Sequence, residues 1–426
     1  MDGRGFGMTR RALLGGAAAG AVLWTIVPRR CVAGAGRASP SETLAAGLIG
    51  CGGQGGEDLN SYIRAYGGEY RLVAACDVDK TRLAAVRKNP KKFGEDVEKC
   101  ELYTDWRRLI ERKDIDVVSI ATPPSWHALM CIGAAQAGKD ILCEKPMTRF
   151  IAEGRAVVQA VKRYGRVFQI GTAGRFGAYA SEHSRRTHKI MASGLLKKCE
   201  AVYIKRGGFP VRNYCGRVNL EPQKVPEHLD WDMYCGPSPL RPYNSHRFGW
   251  SHRYYWDYEG GSLADFAQHY MDPFQWTYAK DYTSPVEIEA YAPPAHHDAC
   301  GLWAWVELRY ADGLTLVLDG NEWGPRYDRR KERGVTLDDL DEESRRKLAA
   351  MPDPPKLLNF VEAVKTRGES AGHVEAAHRA VTIAHLANIA IRTGRKIRYD
   401  PDKEQIIGDE AANRLVYQPM REPWHL

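Results

Sequence analysis

Three groups of residues in this 426-residue chain have the types and spacing to do chemistry. The first, Gly50-Cys51-Gly52-Gly53-Gln54-Gly55, is a G-x-G-x-x-G directly after the apolar run 44–49. Such a turn brings backbone N–H groups up to a pyrophosphate. Gly50 reverses the chain, Gly52 admits the phosphates, and Gly55 lets helix and strand pack closely. Gly53 and Gln54 complete the cradle. Asp77, 22 residues after Gly55, ends the next apolar run. A carboxylate there accepts from the adenosine ribose hydroxyls and repels a 2′-phosphate, which predicts NAD as the cofactor.

The second group is Glu144-Lys145-Pro146, at the carboxyl end of the apolar run 141–143. Ligands of an open parallel sheet lie outside the carboxyl ends of its strands, so Lys145 is placed to meet substrate and nicotinamide together. The third group lies in Gly260-Gly261-Ser262-Leu263-Ala264-Asp265-Phe266-Ala267-Gln268-His269. Asp265 and His269 are four apart, so on a helix they face one way. A histidine can take a hydroxyl proton, and a carboxylate can orient it or bind a second hydroxyl. Just before this pair, Trp250-Ser251-His252-Arg253-Tyr254-Tyr255-Trp256-Asp257-Tyr258 interleaves charge and aromatic rings. Tyr254 and Trp256 offer flat faces to the C–H faces of a sugar, and Arg253 can bond its hydroxyls. The same stretch would serve equally well as a core or subunit-interface strip.

These residues need elements to hold them. From 44 to about 172, short apolar runs at 44–49, 72–76, 117–121, 141–143 and 167–170 predict buried strands. Helical segments at 126–137 and 152–164 are each followed by a terminating glycine, Gly138 and Gly165. That alternation predicts a Rossmann-type parallel sheet. Beyond it, strand-like alternation at 201–204, 286–291, 303–310 and 314–318 predicts a separate, mostly antiparallel sheet, with an Asp312-Gly313 hairpin. Helices are expected at 338–351, 357–366 and 374–392, the last amphipathic and stopped by Gly394. The predicted order is a leader at 1–37, a dinucleotide-binding domain at 38–172, a substrate and oligomerisation domain at 173–395, and a polar tail at 396–426 that wraps the surface.

The formal charge is +8, but six arginines against Asp2 within residues 1–37 contribute +5 of it. The remaining body, at about +3, does not predict nucleic-acid binding. Arg10-Arg11 precedes an apolar run at 12–27, and Ala33-Gly34-Ala35 comes next as a small-residue cleavage site. That pattern is a twin-arginine export signal, so the mature protein is expected outside the cytoplasmic membrane and not stably inserted in it. Nine of ten cysteines lie beyond the leader, none in C-x-x-C, and are expected to be structural free thiols. His296-His297-Asp298 lacks further ligands at useful spacing, so no metal is predicted.

Taken together and in this order, the motifs resemble the Gfo/Idh/MocA family. The resemblance runs from Leu44 to the C-terminus and also rests on Thr122-Pro123 with His127. It implies Lys145, Asp265 and His269 as catalytic residues. Thr122, Pro123, His127 and Glu144 would border the cofactor, and a homo-oligomer, dimer or tetramer, would form through the second domain. One departure is visible: relatives commonly carry glycine two residues before the histidine, where this chain has Ala267. The expected function is oxidation of a CH–OH group on a sugar, glycoside or cyclitol by a tightly retained, internally recycled NAD. The alternatives are a redox-neutral NAD-dependent glycosidase or epimerase, and a non-catalytic sugar- or cofactor-binding protein.

Overall fold

The computed structural model describes residues 43–426, of which Ala45–Leu426 form one compact unit. The twin-arginine motif and its cleavage site lie outside the described residues.

Six strands make the first sheet: β1 Thr43–Ile49, β2 Glu69–Cys76, β3 Glu101–Tyr103, β4 Val117–Ile120, β5 Asp140–Cys143 and β6 Phe168–Ile170. They are ordered β3-β2-β1-β4-β5-β6, and β2 with β3, β1 with β4, β4 with β5 and β5 with β6 pair in parallel. The order reverses between β1 and β4, and a crevice at that switch point is where such sheets bind dinucleotides. β4 and β5 are buried at every position, as the continuous apolar runs require of strands covered on both faces. β3 was not expected. At three residues on the sheet edge it is too short to show a period.

The second sheet contains β7 Val202–Arg206, β8 Glu287–Tyr291, β9 Trp305–Arg309, β10 Thr315–Asp319, β11 Ile397–Asp400 and β12 Gln405–Ile407. Its order is β12-β11-β8-β9-β10-β7, antiparallel except for the β7/β10 pair. The Asp312-Gly313 turn joins β9 to β10, with Gly313 at φ 99°. The tail does not simply wrap the surface. Residues 397–407 add two edge strands, because Ile397, Tyr399 and Ile406 alternate inward between polar neighbours.

Seven helices frame the crevice and its surroundings: α1 Glu57–Tyr62, α2 His127–Gln136, α3 Ile151–Arg163, α4 Gly174–Ala180, α5 Trp231–Cys235, α6 Gly261–Thr277 and α7 Val374–Thr393. α7 is amphipathic in sequence but buried all round, every residue from Val374 to Ile391 being covered. Its Val374, Ala377 and Val381 join the core of the first sheet, while Ala380, Ile383, Ala384 and Ala387 join that of the second. Its polar stripe, Glu375, His378, Arg379, Thr382 and His385, is covered too, with Glu375 paired to Arg155 and Lys162 and His378 to Glu404. Gly394 ends it in the left-handed conformation, φ 62°, with its N–H on the Ala390 carbonyl.

Candidate active site

A cavity of about 930 Å³ opens at the switch point and is lined from both sheets' domains. Its phosphate end is the glycine turn. Gly50 has φ 93°, and a Cβ there would lie 2.5 Å from the Ala121 carbonyl oxygen; one on Gly55 would lie 2.1 Å from that of Gly50. Neither position admits a side chain. Gly53 has nothing within 4 Å of a Cβ, so open space stands where phosphates would enter. Gly50, Gly52, Gly53 and Gln54 line the cavity, whereas Gly55 is a packing residue behind it. The cradle therefore fits a dinucleotide pyrophosphate.

Two cations that the motif did not reveal stand beside this turn. Lys92 Nζ donates to the Gly53 carbonyl at 2.7 Å, and Arg82, a cavity residue, lies over the Phe248 ring at 4.8 Å. Asp77 lines the cavity, but each of its oxygens already accepts a backbone N–H, from Cys51 at 2.7 Å and Asp79 at 2.8 Å. It thus holds the glycine turn in place while keeping further lone pairs for a ribose diol. Burial raises its pKa.

At the other end Lys145, Asp265 and His269 converge. α6 begins at Gly260-Gly261, whose φ values of 147° and 73° turn the chain sharply into the helix. Asp265 and His269 then face the cavity one turn apart, while Leu263, Ala267, Met271 and Phe274 face the core. The Ala267 methyl, fully buried in that core, does not narrow the cavity. Pro273 lacks the N–H that would bond the His269 carbonyl, so the helix continues to Thr277 with one backbone bond missing at the histidine.

Lys145 Nζ donates to Asp265 Oδ1 at 2.5 Å and to the Asp265 backbone carbonyl at 3.0 Å. Tyr214 Oη donates to Asp265 Oδ2, and Arg253 Nε lies 3.2 Å from Oδ1. Burial alone would raise the Asp265 carboxyl, but the Lys145 and Arg253 charges outweigh it and bring the pKa down to about 2. Asp265 is therefore a fixed anion that accepts from Lys145 and Tyr214, with the Arg253 guanidinium paired beside it. His269 is pushed down to about 4, first by burial and then by the Lys145 charge, against a weaker pull from Asp265. At neutral pH it is an uncharged imidazole, able to accept a proton.

Thr122, Pro123 and Glu144 border the cavity between these ends. Glu144 accepts the Lys145 backbone N–H at 3.0 Å and lies against Asp58 of α1; burial, then the Asp58 charge, raises its pKa. Asp58 is itself pushed up to about 6 by burial. Each carboxyl thus shifts toward its protonated form, a pairing that the sequence did not suggest. His127 does not line the cavity. It sits fully buried behind it, Nδ1 on the Pro146 carbonyl and Nε2 on the Thr122 carbonyl, each at 2.9 Å. It ties the loop after β4 to the loop after β5.

Of the three expected substrate contacts before α6, only Arg253 lines the cavity. Tyr254 packs edge-on to Tyr214, their centroids 5.5 Å apart. Trp256 is turned away, its Nε1 on the His296 carbonyl and its ring under Arg392. The correction has a local cause: 249–254 is a 3-10 helix, in which every third residue shares a face. Trp250 and Arg253 are consequently brought together on the cavity, with the guanidinium 4.1 Å from the ring centroid. Trp250 remains 61% exposed, an aromatic surface at the mouth.

A segment of the second domain closes the cofactor side. Residues around α5 form a bridge between Asp79 and Leu229, and the Trp126 indole donates to the Met233 carbonyl at 3.0 Å. Met233, Tyr234 and Phe248 thereby stand over the crevice.

A glycine-turn crevice of this topology, with a lysine, a carboxylate and a neutral histidine at its far end, defines an NAD-binding oxidoreductase. Family models match residues 44–172, described as "Oxidoreductase family, NAD-binding Rossmann fold", and residues 181–426, described as "Oxidoreductase family, C-terminal alpha/beta domain". The chain belongs to the Gfo/Idh/MocA oxidoreductase family. It is 52% identical over 59 residues to levoglucosan dehydrogenase of Pseudarthrobacter phenanthrenivorans, 14% of this chain and 15% of that one. It is 32% identical over 158 residues to inositol 2-dehydrogenase 4 of Saccharopolyspora erythraea, 37% of this chain and 44% of that one. The matches thus span less than half of these relatives' lengths. The fold resembles that of the WlbA dehydrogenase from Bordetella pertussis in complex with NADH and UDP-GlcNAcA. The TM-score is 0.52 at 14% identity, covering 84% of this chain and 99% of that one. It also resembles aldose-aldose oxidoreductase from Caulobacter crescentus, with TM-score 0.50 at 18% identity and 84% and 99% coverage.

Proposed function

We propose that the protein oxidises a secondary hydroxyl of a sugar, glycoside or cyclitol, using NAD that it retains between turnovers. The observation that carries this is the neutral His269 beside the Lys145–Asp265 pair, at the opposite end of one cavity from the glycine turn. His269 takes the hydroxyl proton as the C–H bond breaks. Lys145, held by Asp265, offers its remaining N–H groups to the substrate oxygen and opposes charge developing there. NAD held in the crevice by Gly50, Gly52, Gly53, Gln54 and Asp77 would supply the hydride acceptor. Arg253 and the Trp250 face bind the rest of the substrate. The sugar and cyclitol dehydrogenases among the relatives support the substrate class.

Retention has support in the same geometry, since the segment around α5 and Phe248 lies over the crevice. Export supports it as well: the twin-arginine motif at Arg10-Arg11 and the free thiols of a cytoplasmically folded protein favour a periplasmic or otherwise exported enzyme. No useful free NAD pool is expected there, so the cofactor must travel with the protein and be recycled in place. The test is direct. Purified protein, denatured without added nucleotide, should release close to one equivalent of NAD on chromatography. Mixing it with sugars and cyclitols should give the near-ultraviolet absorbance of bound NADH. Less than about a tenth of an equivalent would refute retention. No absorbance change with any substrate, after NAD is supplied, would refute the oxidation.

A further inference from the structure

α5 is a wall of the crevice, with Met233 and Tyr234 lining the cavity, yet five residues are too few to hold a helix in place by themselves. Its supports come from two directions. From the first domain, the Trp126 indole donates to the Met233 and Tyr234 carbonyls at 3.0 and 3.3 Å. Gly236, at φ 51°, permits that approach, since a Cβ there would lie 2.2 Å from the indole ring. From the tail, Arg421 binds the carboxyl end of α5 and the turn after it. Its Nε donates to the Gly236 carbonyl at 2.9 Å, and its Nη atoms to the Asp232 carbonyl at 2.9 Å and to Asp232 Oδ1 at 2.7 Å. The Arg421 backbone N–H adds the Pro237 carbonyl at 2.9 Å. Three residues on, Trp424 packs edge-on against Trp126, their centroids 4.7 Å apart, with the Arg107 guanidinium 5.2 Å from the Trp424 ring centroid.

The tail thus grips both partners of one contact: α5 through Arg421, and the indole that holds α5 through Trp424. Both cores close without it, since no residue from 421 to 426 is buried. The Asp232 carboxylate is exposed, so its ion pair with Arg421 contributes little by itself. The bonds to the backbone carbonyls come from a charged donor and are the stronger ones. Trp126 also lines the cavity, so whatever fixes its ring fixes the crevice wall on two sides.

We propose that Arg421 and Trp424 are positioning residues for the cofactor, which pin α5 and Trp126 together over the crevice and so slow the exit of NAD. This rests on the proposed retention of NAD, and neither residue lines the cavity itself. α5 swings clear only when the Trp126 and Arg421 bonds to it open together. With either tail residue replaced, the wall opens on fewer broken contacts, while the glycine turn and Asp77 keep their own geometry. Binding therefore weakens through faster release.

The experiment uses the full mature protein loaded with radiolabelled NAD, chased with unlabelled NAD and filtered at intervals. Arg421→Met should release NAD at least about tenfold faster than the parent, the scale set by losing hydrogen bonds from a charged group. Trp424→Ala should also release it faster, and Arg421→Lys, which keeps the charge and part of the donor set, should recover part of the delay. Hydrogen exchange on nucleotide-free protein gives a second readout. The backbone of 231–236 should exchange faster in Arg421→Met and Trp424→Ala, with β4 and β5 at the parental rate. Parental release by both variants would overturn the assignment, as would faster exchange spread evenly over β4 and β5, the mark of a general loss of stability. The ratio of release rates tests the two residues, and the parent's own rate tests retention. A parent that exchanges NAD within seconds, yet still more slowly than both variants, would refute retention and keep the assignment.

Discussion

Lys145 sets the character of the site through two neighbours at once. Its ammonium holds Asp265 as an anion and, together with burial, keeps His269 neutral. Because the His269 pKa is lowered to about 4, activity should not fall near pH 6.5, where an ordinary histidine titrates. The acid limb of kcat/KM should lie nearer 4, and Lys145→Met should move the titration of His269 upward by removing the positive charge. Histidine NMR with selective labelling checks this; an unchanged midpoint would contradict the coupling. Lys145→Ala and His269→Ala should each lower hydride transfer at least about 100-fold while NAD stays bound, as single-turnover absorbance would show. Asp77 is a different case. Since it also anchors the Cys51 N–H, Asp77→Ala should weaken NAD binding more than loss of ribose contacts alone would. It should also narrow the preference over NADP, measurable by titration calorimetry with both nucleotides. Most of these side chains were legible in the sequence because each sits in a short local motif. Arg82 and Lys92 were not: they stand outside the motifs, and nothing in local spacing marks them. Tyr254 and Trp256 were misplaced for the opposite reason. Their types suited the task, but a three-residue periodicity turned them away and brought Trp250 in.

At the scale of elements, α6 shows how a motif's shape and its chemistry separate. Gly260 and Gly261 carry no chemistry; they start the helix at the right angle. A Cβ on Gly260 would lie 2.8 Å from Asn388 Nδ2, on a backbone at φ 147°. Gly260→Ala should therefore destabilise the fold by about 1–3 kcal/mol. It should also lower activity by rotating Asp265 and His269 together, which denaturant titration and single-turnover kinetics would separate. Ala267 makes the complementary case. Its methyl belongs to the core, so Ala267→Gly should cost about 1 kcal/mol of helix stability and leave KM for the substrate unaltered. A changed KM would place the methyl in the cavity after all. Five of the first sheet's six strands were legible because burial on both faces writes continuous apolar runs, β3 being too short to show one. The course of the tail was less so, since β11 and β12 are only four and three residues long, β11 pairing with β8 and β12 with β11 at the sheet's edge.

Over the whole molecule, nine cysteines lie among the described residues and all are free; eight are buried and Cys215 is partly so. The tenth, Cys31, belongs to the proposed leader. This distribution turns a thiol count into a record of the protein's history through parity. An intramolecular disulfide removes thiols two at a time and leaves an even total even. Removal of the leader takes away one and makes the total odd. Denatured precursor should thus react with ten equivalents of a thiol reagent and exported protein with nine. An exported chain that formed one disulfide after crossing the membrane would show about seven, still odd. Where oxidation is by intramolecular disulfides alone, an even count below ten marks uncut protein, and a single colorimetric titration then distinguishes processing from oxidation.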